Sequence, residues 1–378
     1  DFPILSAIVL VPLIAGVLTV LIPAAQTTLI KVVNLLAGVI CAGLSLQIWL
    51  SYDMSAGGYQ MVEETPWVAQ LGINYILAVD GIGVALNAIV FLTGVHTMWG
   101  LEHRVKEFFA FMSLLVFGVF GVFLSLDIFV FFFFYEVAVL PMSPLIAIWG
   151  STRKENSAMK LTLYLMVGSA LLFPSLTALW VQAGATSWDI RVLGEAGVYS
   201  ADFQIWLYPF IYVGFGILAG MFPFHGWSPT GHVAAPTAVS MLHAGVLMKL
   251  GAFGILRIGI ELLPEGALYW ASTFAALATV NIVYGAFVAM RQTDFKYVIG
   301  FSSVSHMGIV LLGLNTLSID GMSGAVFQMF AHGIMTALFF SAVGFIYDQT
   351  HDRDINHYGG LASQLPVATA FFILAGLC

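Results

Sequence analysis

Charge is what this chain has least of. Only 8% of its 378 residues are Asp, Glu, Lys or Arg, against 60% that are hydrophobic, a composition that excludes a soluble domain. Mean hydropathy is +0.97, which places the chain among polytopic membrane proteins. Basic residues number 12 against 20 acidic ones, with no basic patch or tail, so nucleic-acid binding is excluded. Cysteine is nearly missing. Cys41 and Cys378 fall in apolar segments without metal-ligand spacing, which argues against a disulfide framework, a zinc site or an iron–sulfur cluster. No Gly-rich phosphate loop follows a strand, so no nucleotide site is expected. The residues imply no cofactor and no metal in this chain.

What is present is apolar sequence in lengths that span a bilayer, about 20 residues each. Spans are predicted at 2–22, 28–50, 78–100, 108–126, 128–150, 157–182, 203–224, 234–260, 267–290, 294–314 and 321–347, with a twelfth starting near 364. The chain opens on Asp1 and stops at Cys378 inside an apolar run, so it reads as part of a longer one. Residues 2–22 already make a full span, which disfavours a cleaved signal peptide. Only the connections 51–77 and 183–202 are long enough for small surface structures. The Lys and Arg residues test this drawing, because cytoplasmic loops hold the excess. Lys31, Arg104, Lys106, Arg153, Lys154, Lys160, Arg291, Lys296 and Arg353 fall on one side, with Arg191 and Arg257 on the other. That asymmetry predicts an N-terminus on the outer or lumenal side. Three N-terminal helices (1–107) precede a five-helix unit (108–260), and a second, inverted unit begins in 261–378. An odd number of spans per unit produces that inversion.

One stretch, residues 220–257, breaks the pattern. Pro223, Pro229, Gly231 and Pro236 remove donors or loosen the chain at hydrophobic depth. His225, His232, His243 and Lys249 surround the break, and a broken helix with ionisable neighbours is how ion-translocating proteins build a midplane site. Lys249, Glu136, His306 and His332 each lie near the centre of a predicted span, with His243 about two turns from Lys249. A charge at that depth costs roughly 2.5–3.5 kcal/mol on insertion scales, so the row implies partners, water or function.

Glu136 in VFFFFYEVAVLPMSP reads as a proton-carrying carboxylate, or alternatively as a neutral structural acid bonded to the next helix. Lys249 reads as a proton-accepting amine, since mid-span placement argues against snorkelling, and Gly245, Gly251 and Gly254 permit close packing and leave space for water. His243 and His332 suit a proton relay, taking a proton on one nitrogen and giving it from the other, with a hydrogen-bonded core histidine as the rival. His306 in SSVSHMG lies among hydroxyls that would extend a hydrogen-bonded line. His225 stands at the break, and Lys160 near the end of its span marks an entrance. His96, His103, His351 and His357 sit near loops. Phe131 to Phe134 read as lipid-facing or packing surface.

FFFFYEVAVLPMSPLIAIWG, SAMKLTLY, PFHGWSPTGHVAAPTAVSMLHAGVLMKLGAFGILR, QTDFKYVIGFSSVSHMG and FQMFAHGIMTALFF, in this order and spacing, resemble the antiporter-like membrane subunits of respiratory complex I. The likeness is greatest to the subunit M, or chain 4, family and covers residues 60–378. It implies an all-α membrane fold with inverted five-helix repeats and broken helices, about 12 spans of a 14-span chain. It also implies a proton-translocating subunit without a redox cofactor, in a bacterial, thylakoid or mitochondrial membrane, with other complex I membrane subunits as partners. By matched position, Glu136 is similar to the family's fifth-helix glutamate, Lys249 to its eighth-helix lysine and His332 to an eleventh-helix histidine. His243 matches a histidine more usual in chain 5. The family's seventh-helix lysine, partner of the glutamate, is replaced by Leu218, so the usual pair is broken unless His225, His243 or another base substitutes. An antiporter or membrane-bound hydrogenase subunit on the same scaffold, or a non-pumping structural arm, are the alternatives.

Overall fold

The computed structural model describes residues 2–80, 84–195 and 197–377, with the backbone alone at 84–87. Cys378 lies outside the described residues. Helices α1 (Ile4–Leu21) and α2 (Thr27–Ser51) lead to an antiparallel hairpin of β1 (Gln60–Val68) and β2 (Ile73–Val79). Then follow α3 (Val84–Thr97), α4 (Val105–Leu124), α5 (Ile128–Val139), α6 (Met142–Trp149), α7 (Lys154–Gln182), the one-turn α8 (Ile190–Leu193) and α9 (Ala201–Ala219). The chain continues through α10 (Trp227–Ala234), α11 (Thr237–Leu242), α12 (Met248–Gly254), α13 (Pro264–Met290), α14 (Phe295–Asn315) and α15 (Ile319–Thr350) to α16 (Leu361–Gln364) and α17 (Pro366–Leu377). Among the described residues ten helical stretches are long and apolar enough to cross a membrane, and Ala88–Thr97 and Pro366–Leu377 are shorter apolar helices. Each of the twelve expected spans therefore has a counterpart.

Three boundaries differ from the sequence reading. The span drawn at 78–100 begins later, because INYILAV is a strand that pairs with β1 (Glu63 opposite Leu77, Thr65 opposite Tyr75) and buries Leu77, Ala78 and Val79. The span at 128–150 is two helices, parted at Leu140 and Pro141, since proline cannot donate to the preceding turn. The break of 220–236 divides the span Ala201–Ala234, whereas Thr237–Ile260 runs unbroken. Within that second helix the turns His243–Leu247 and Ile255–Ile260 are π-helical, a widening that often marks functional positions.

Alternate connections meet at opposite ends. At one end Lys31 Nζ donates to Trp99 O (2.6 Å), Trp149 Nε1 to His103 O (2.8 Å), and Ser151 N to Ala234 O (2.8 Å). At the other, Glu63 accepts from the backbone N–H groups of Leu5 and Ser6 at the start of α1 (2.8 and 2.9 Å), which a helix N-terminus favours. Asp127 caps α5 by accepting from Phe129 N and Val130 N (2.9 and 3.0 Å), and its other oxygen accepts from Asn74 N in β2 (2.8 Å). Arg257 pairs there with Asp80, Glu261 and the Tyr59 hydroxyl.

In the span Thr237–Ile260, residues 238–256 are buried throughout. Its glycines serve contact, not solvation: a Cβ on Gly251 would lie 2.4 Å from Phe215 O and 2.6 Å from Ala219 N of α9, and one on Gly254 would meet the Phe215 ring. The space expected beside Lys249 for water is thus occupied by α9 on that side. The aromatic run is both packing and outward surface, with Phe131 and Phe134 buried and Phe133 exposed.

Candidate functional site

Helix α9 stops at Ala219 because Gly220 takes φ +78°, a left-handed cap that glycine adopts freely. Residues 220–223 then lack a helical ladder at membrane depth, where each unpaired backbone group is costly, before a single 3-10 turn at Phe224–Gly226 leads into α10. Asn281 of α13 answers this. Its Oδ1 accepts from Phe222 N (2.6 Å), and its Nδ2 donates to Gly220 O (3.2 Å) and Val304 O (2.8 Å). Trp227 Nε1 donates back to Ile217 O (2.9 Å), joining the two halves of the broken helix.

Lys249 lies at position 13 of the 24-residue span Thr237–Ile260. It is 1% exposed, as is His332. Its Nζ donates to Ala244 O (2.5 Å), one turn back at the π-helical widening, and sits 2.6 Å from His332 Nδ1. An ammonium is only a donor, so a charged Lys249 makes His332 Nδ1 the acceptor and places the imidazole proton on Nε2. That Nε2 is buried without a protein partner. The His306 ring stacks on His332 with centroids 5.3 Å apart, and its Nδ1 pairs with Gln328 Nε2 (2.9 Å). Of the neighbouring hydroxyls, Ser302 and Ser305 donate to the carbonyls of Ile299 and Ile282, and Ser303 Oγ is buried without a protein partner.

A second pair of imidazoles lies against the half-helix α10. His232 and His243 are buried with ring centroids 4.3 Å apart. Ser228 Oγ is 3.0 Å from His232 Nε2, and Trp227 stacks on His243. His232 Nδ1 and both ring nitrogens of His243 have no protein partner; buried polar atoms of this kind are commonly bridged by water. A Cβ on Gly231 would lie 3.0 Å from His243 Cε1, so the glycine gives the ring its room. Among the described residues no three His, Cys, Asp or Glu side chains are placed to hold a metal ion.

The structure does not bring Glu136 into either cluster. Half-buried on α5, it accepts from Ser169 Oγ of α7. Leu218 is 1% exposed on α9. His225 does not replace the lysine there: its ring lies face to face with Phe222 and edge-on to Tyr284 (5.0 Å). Lys160 adjoins this same turn, with its Nζ 3.3 Å from where a Cβ on Gly226 would stand. Lys160 therefore lies beside the turn that carries His225, Lys249, His332 and His306 meet, and Glu136 stands apart with Ser169.

The sequence model of the NADH:quinone oxidoreductase/Mrp antiporter transmembrane family matches residues 125–378. The chain belongs to this family. It is 35% identical over 382 aligned positions to NAD(P)H-quinone oxidoreductase chain 4 3 of Picosynechococcus sp., covering 100% of this chain and 69% of the relative. It is 36% identical over 377 positions to chain 4 2 of Microcystis aeruginosa, covering 98% and 68%. Among solved structures, a chain of respiratory complex I from Thermus thermophilus with bound NADH superposes with TM-score 0.87 at 26% identity, over 99% of this chain and 78% of that one. A chain of the Mrp complex from Dietzia sp. gives TM-score 0.87 at 22% identity, over 99% and 70%, and shows the shared fold. As a member of the NADH:quinone oxidoreductase/Mrp antiporter family, the chain is a multi-pass membrane protein with the antiporter-like fold.

Two residues of this family member escaped the sequence reading as site residues. Asn281 had a signal, an amide within the apolar run ALATVNIVYGAF. His232 was seen beside the break but not selected, because only the fold shows it facing His243.

Proposed function

We propose that the chain is a proton-translocating membrane subunit of a complex I-type quinone oxidoreductase, itself without a redox centre, driven by electron transfer in partner subunits. The observation that carries this is the Lys249–His332 pair. An amine 1% exposed at mid-span, 2.6 Å from an imidazole nitrogen, is costly to retain in a purely structural helix and suits loading and release of one proton. His306 extends that centre by stacking on His332, the buried His232–His243 pair is a second group of imidazoles, Lys160 beside the turn of His225 forms a separate approach, and Glu136 is a carboxylate that a neighbouring group's charge would bias. The three N-terminal spans (1–107), the unit 108–260 and the inverted start at 261–378 are the divisions this reading uses. The N-terminus belongs on the outer or lumenal side of an energy-transducing membrane.

The test is proton uptake by sealed vesicles during donor:quinone turnover, comparing the parent with Lys249→Ala while electron transfer is followed in parallel. Loss of both is expected. Parent-level pumping and turnover in a normally assembled complex would refute the reading. A second reading, a non-pumping structural arm, is favoured by Leu218 and the isolation of Glu136, and that outcome would put it in place of the first.

A further inference from the structure

A polar vestibule of about 510 Å³ opens at the end where residues 98–101, 149–151, 235–237 and 347–353 come together. Thr97, Ser151, Asp348, His351 and Arg353 line it, and Lys296 is part of its wall. Lys296, in the first turn of α14, is only 6% exposed. Its backbone N–H is capped by Asp294 (2.8 Å), and its Nζ donates to Ala235 O (2.8 Å), just past the end of half-helix α10. This buried amine belongs to neither the Lys249–His332 pair nor the His232–His243 pair.

Its position relative to the imidazoles is informative. Ala235 O, which Lys296 touches, also accepts from Ser240 Oγ (3.2 Å), and Ser240 Oγ donates to His232 O (2.8 Å). His232 lies within electrostatic range of both Lys296 and Lys249. The surroundings of Lys296 are of mixed sign: Arg353, in an ion pair with Asp294 (3.4 Å), and Asp348 share the vestibule lining with it. The carbonyl end of α10 adds negative dipole at the same point.

We propose that Lys296 is the proton-loading residue of the buried row, fed from water through this vestibule and delivering to His232. This rests on the reading of the chain as a proton carrier, and it places a mouth apart from the Lys160–His225 approach. In each step one proton moves. Neutral Lys296 Nζ gains an N–H bond as an O–H bond of hydrated proton in the vestibule breaks. It then loses that N–H bond as one forms at an imidazole nitrogen of His232, directly or through a bridging water, and no electrons are transferred.

The experiment uses sealed vesicles carrying the assembled complex, with Lys296→Met, Lys296→Cys, Leu101→Cys in the vestibule wall, and Lys249→Met. Loss of donor-driven proton uptake is expected in Lys296→Met and Lys296→Cys. Treating Lys296→Cys with 2-bromoethylamine, which builds a lysine-like amine on the thiol, is expected to restore uptake. Iodoacetamide, which adds a neutral amide able to keep the Ala235 hydrogen bond, is expected not to restore it. Equal rescue by both reagents would mean a structural role and overturn the proposal, as would normal pumping in Lys296→Met. If the Lys296 variants fail to assemble, labelling of Leu101→Cys by the same hydrophilic reagents decides: modification supports the aqueous mouth, and no modification overturns it. Lys249→Met separates the two layers. Pumping lost there but kept in Lys296→Met refutes only the mouth, whereas pumping kept in both refutes the proton-carrier reading as well.

Discussion

Replacing Asn281 by leucine removes the amide that holds the broken helix open. The side chain bonds three backbone groups, and two of them, Phe222 N–H and Gly220 C=O, belong to the break itself. A buried donor left unpaired costs about 1–3 kcal/mol, and a carbonyl with a spare lone pair is somewhat less demanding. Val304 O lies within α14 and loses only a supplementary bond. Leucine matches the amide in size and removes the need to desolvate it, so the net loss is about 2–4 kcal/mol. Thermal denaturation of the purified protein, followed by tryptophan fluorescence, is expected to show an earlier transition for Asn281→Leu. Trp227 reports from the break, because its indole N–H is bonded to Ile217 O. Thr279→Val serves as control, since Thr279 is exposed on the same helix and bonds only its own Ala275 carbonyl. If Asn281→Leu melts with the parent and the control, the break does not depend on α13 for its backbone hydrogen bonds, and the reasoning fails.

Lys249→Met and His332→Leu are expected to lose pumping to a similar degree, with little further loss in the double variant, because partners in one hydrogen-bonded pair are not additive; full additivity of the two losses would separate them. Gly231→Ala is expected to push the His243 ring from its place at a cost of about 1 kcal/mol, and the same change in a His243→Ala background should be nearly neutral by thermal denaturation. Gly251→Ala places a methyl 2.4 Å from Phe215 O, so α9 and α12 must part, with an expected loss of about 1–3 kcal/mol in the same assay. In the exposed loop after α15, the Asp352 carboxylate bonded to His357 Nδ1 (2.5 Å) raises the imidazole above its ordinary range. That contact is therefore fully present below the ordinary histidine value near 6.5 and is lost as pH rises through the raised one. Titration of His357 by NMR should show the upward displacement abolished in Asp352→Asn.

The span count was legible because hydrophobic length and loop charge are properties of composition along the chain, and they survive small errors at the ends. The strand at Ile73–Val79 was not, since a short apolar run reads alike as strand or helix until its partner is known. Pro223, Pro229, Gly231 and Pro236 announced a break but not which span it divides; the fold settles that, with α10 ending before Pro236 and α11 starting after it. Lys249, His332 and His306 were recognisable by depth, and their contact by Nζ, ring nitrogen and ring stacking required the helices to be packed. The same depth argument set Glu136 in one row with them. Depth says nothing about direction around a helix axis, and Glu136 points instead to Ser169 of α7.

Asp127 is a mechanical joint as well as a cap. One carboxylate oxygen grips the first turn of α5 and the other grips the strand β2, and Glu136 is the ninth residue of that same helix. A neighbouring body that tugs on the hairpin therefore pulls on a rigid rod about 13 Å from the carboxylate, at the helical rise of 1.5 Å per residue. A displacement of the hairpin would thereby reach Glu136 along α5 without passing through Lys249, His332 or His306.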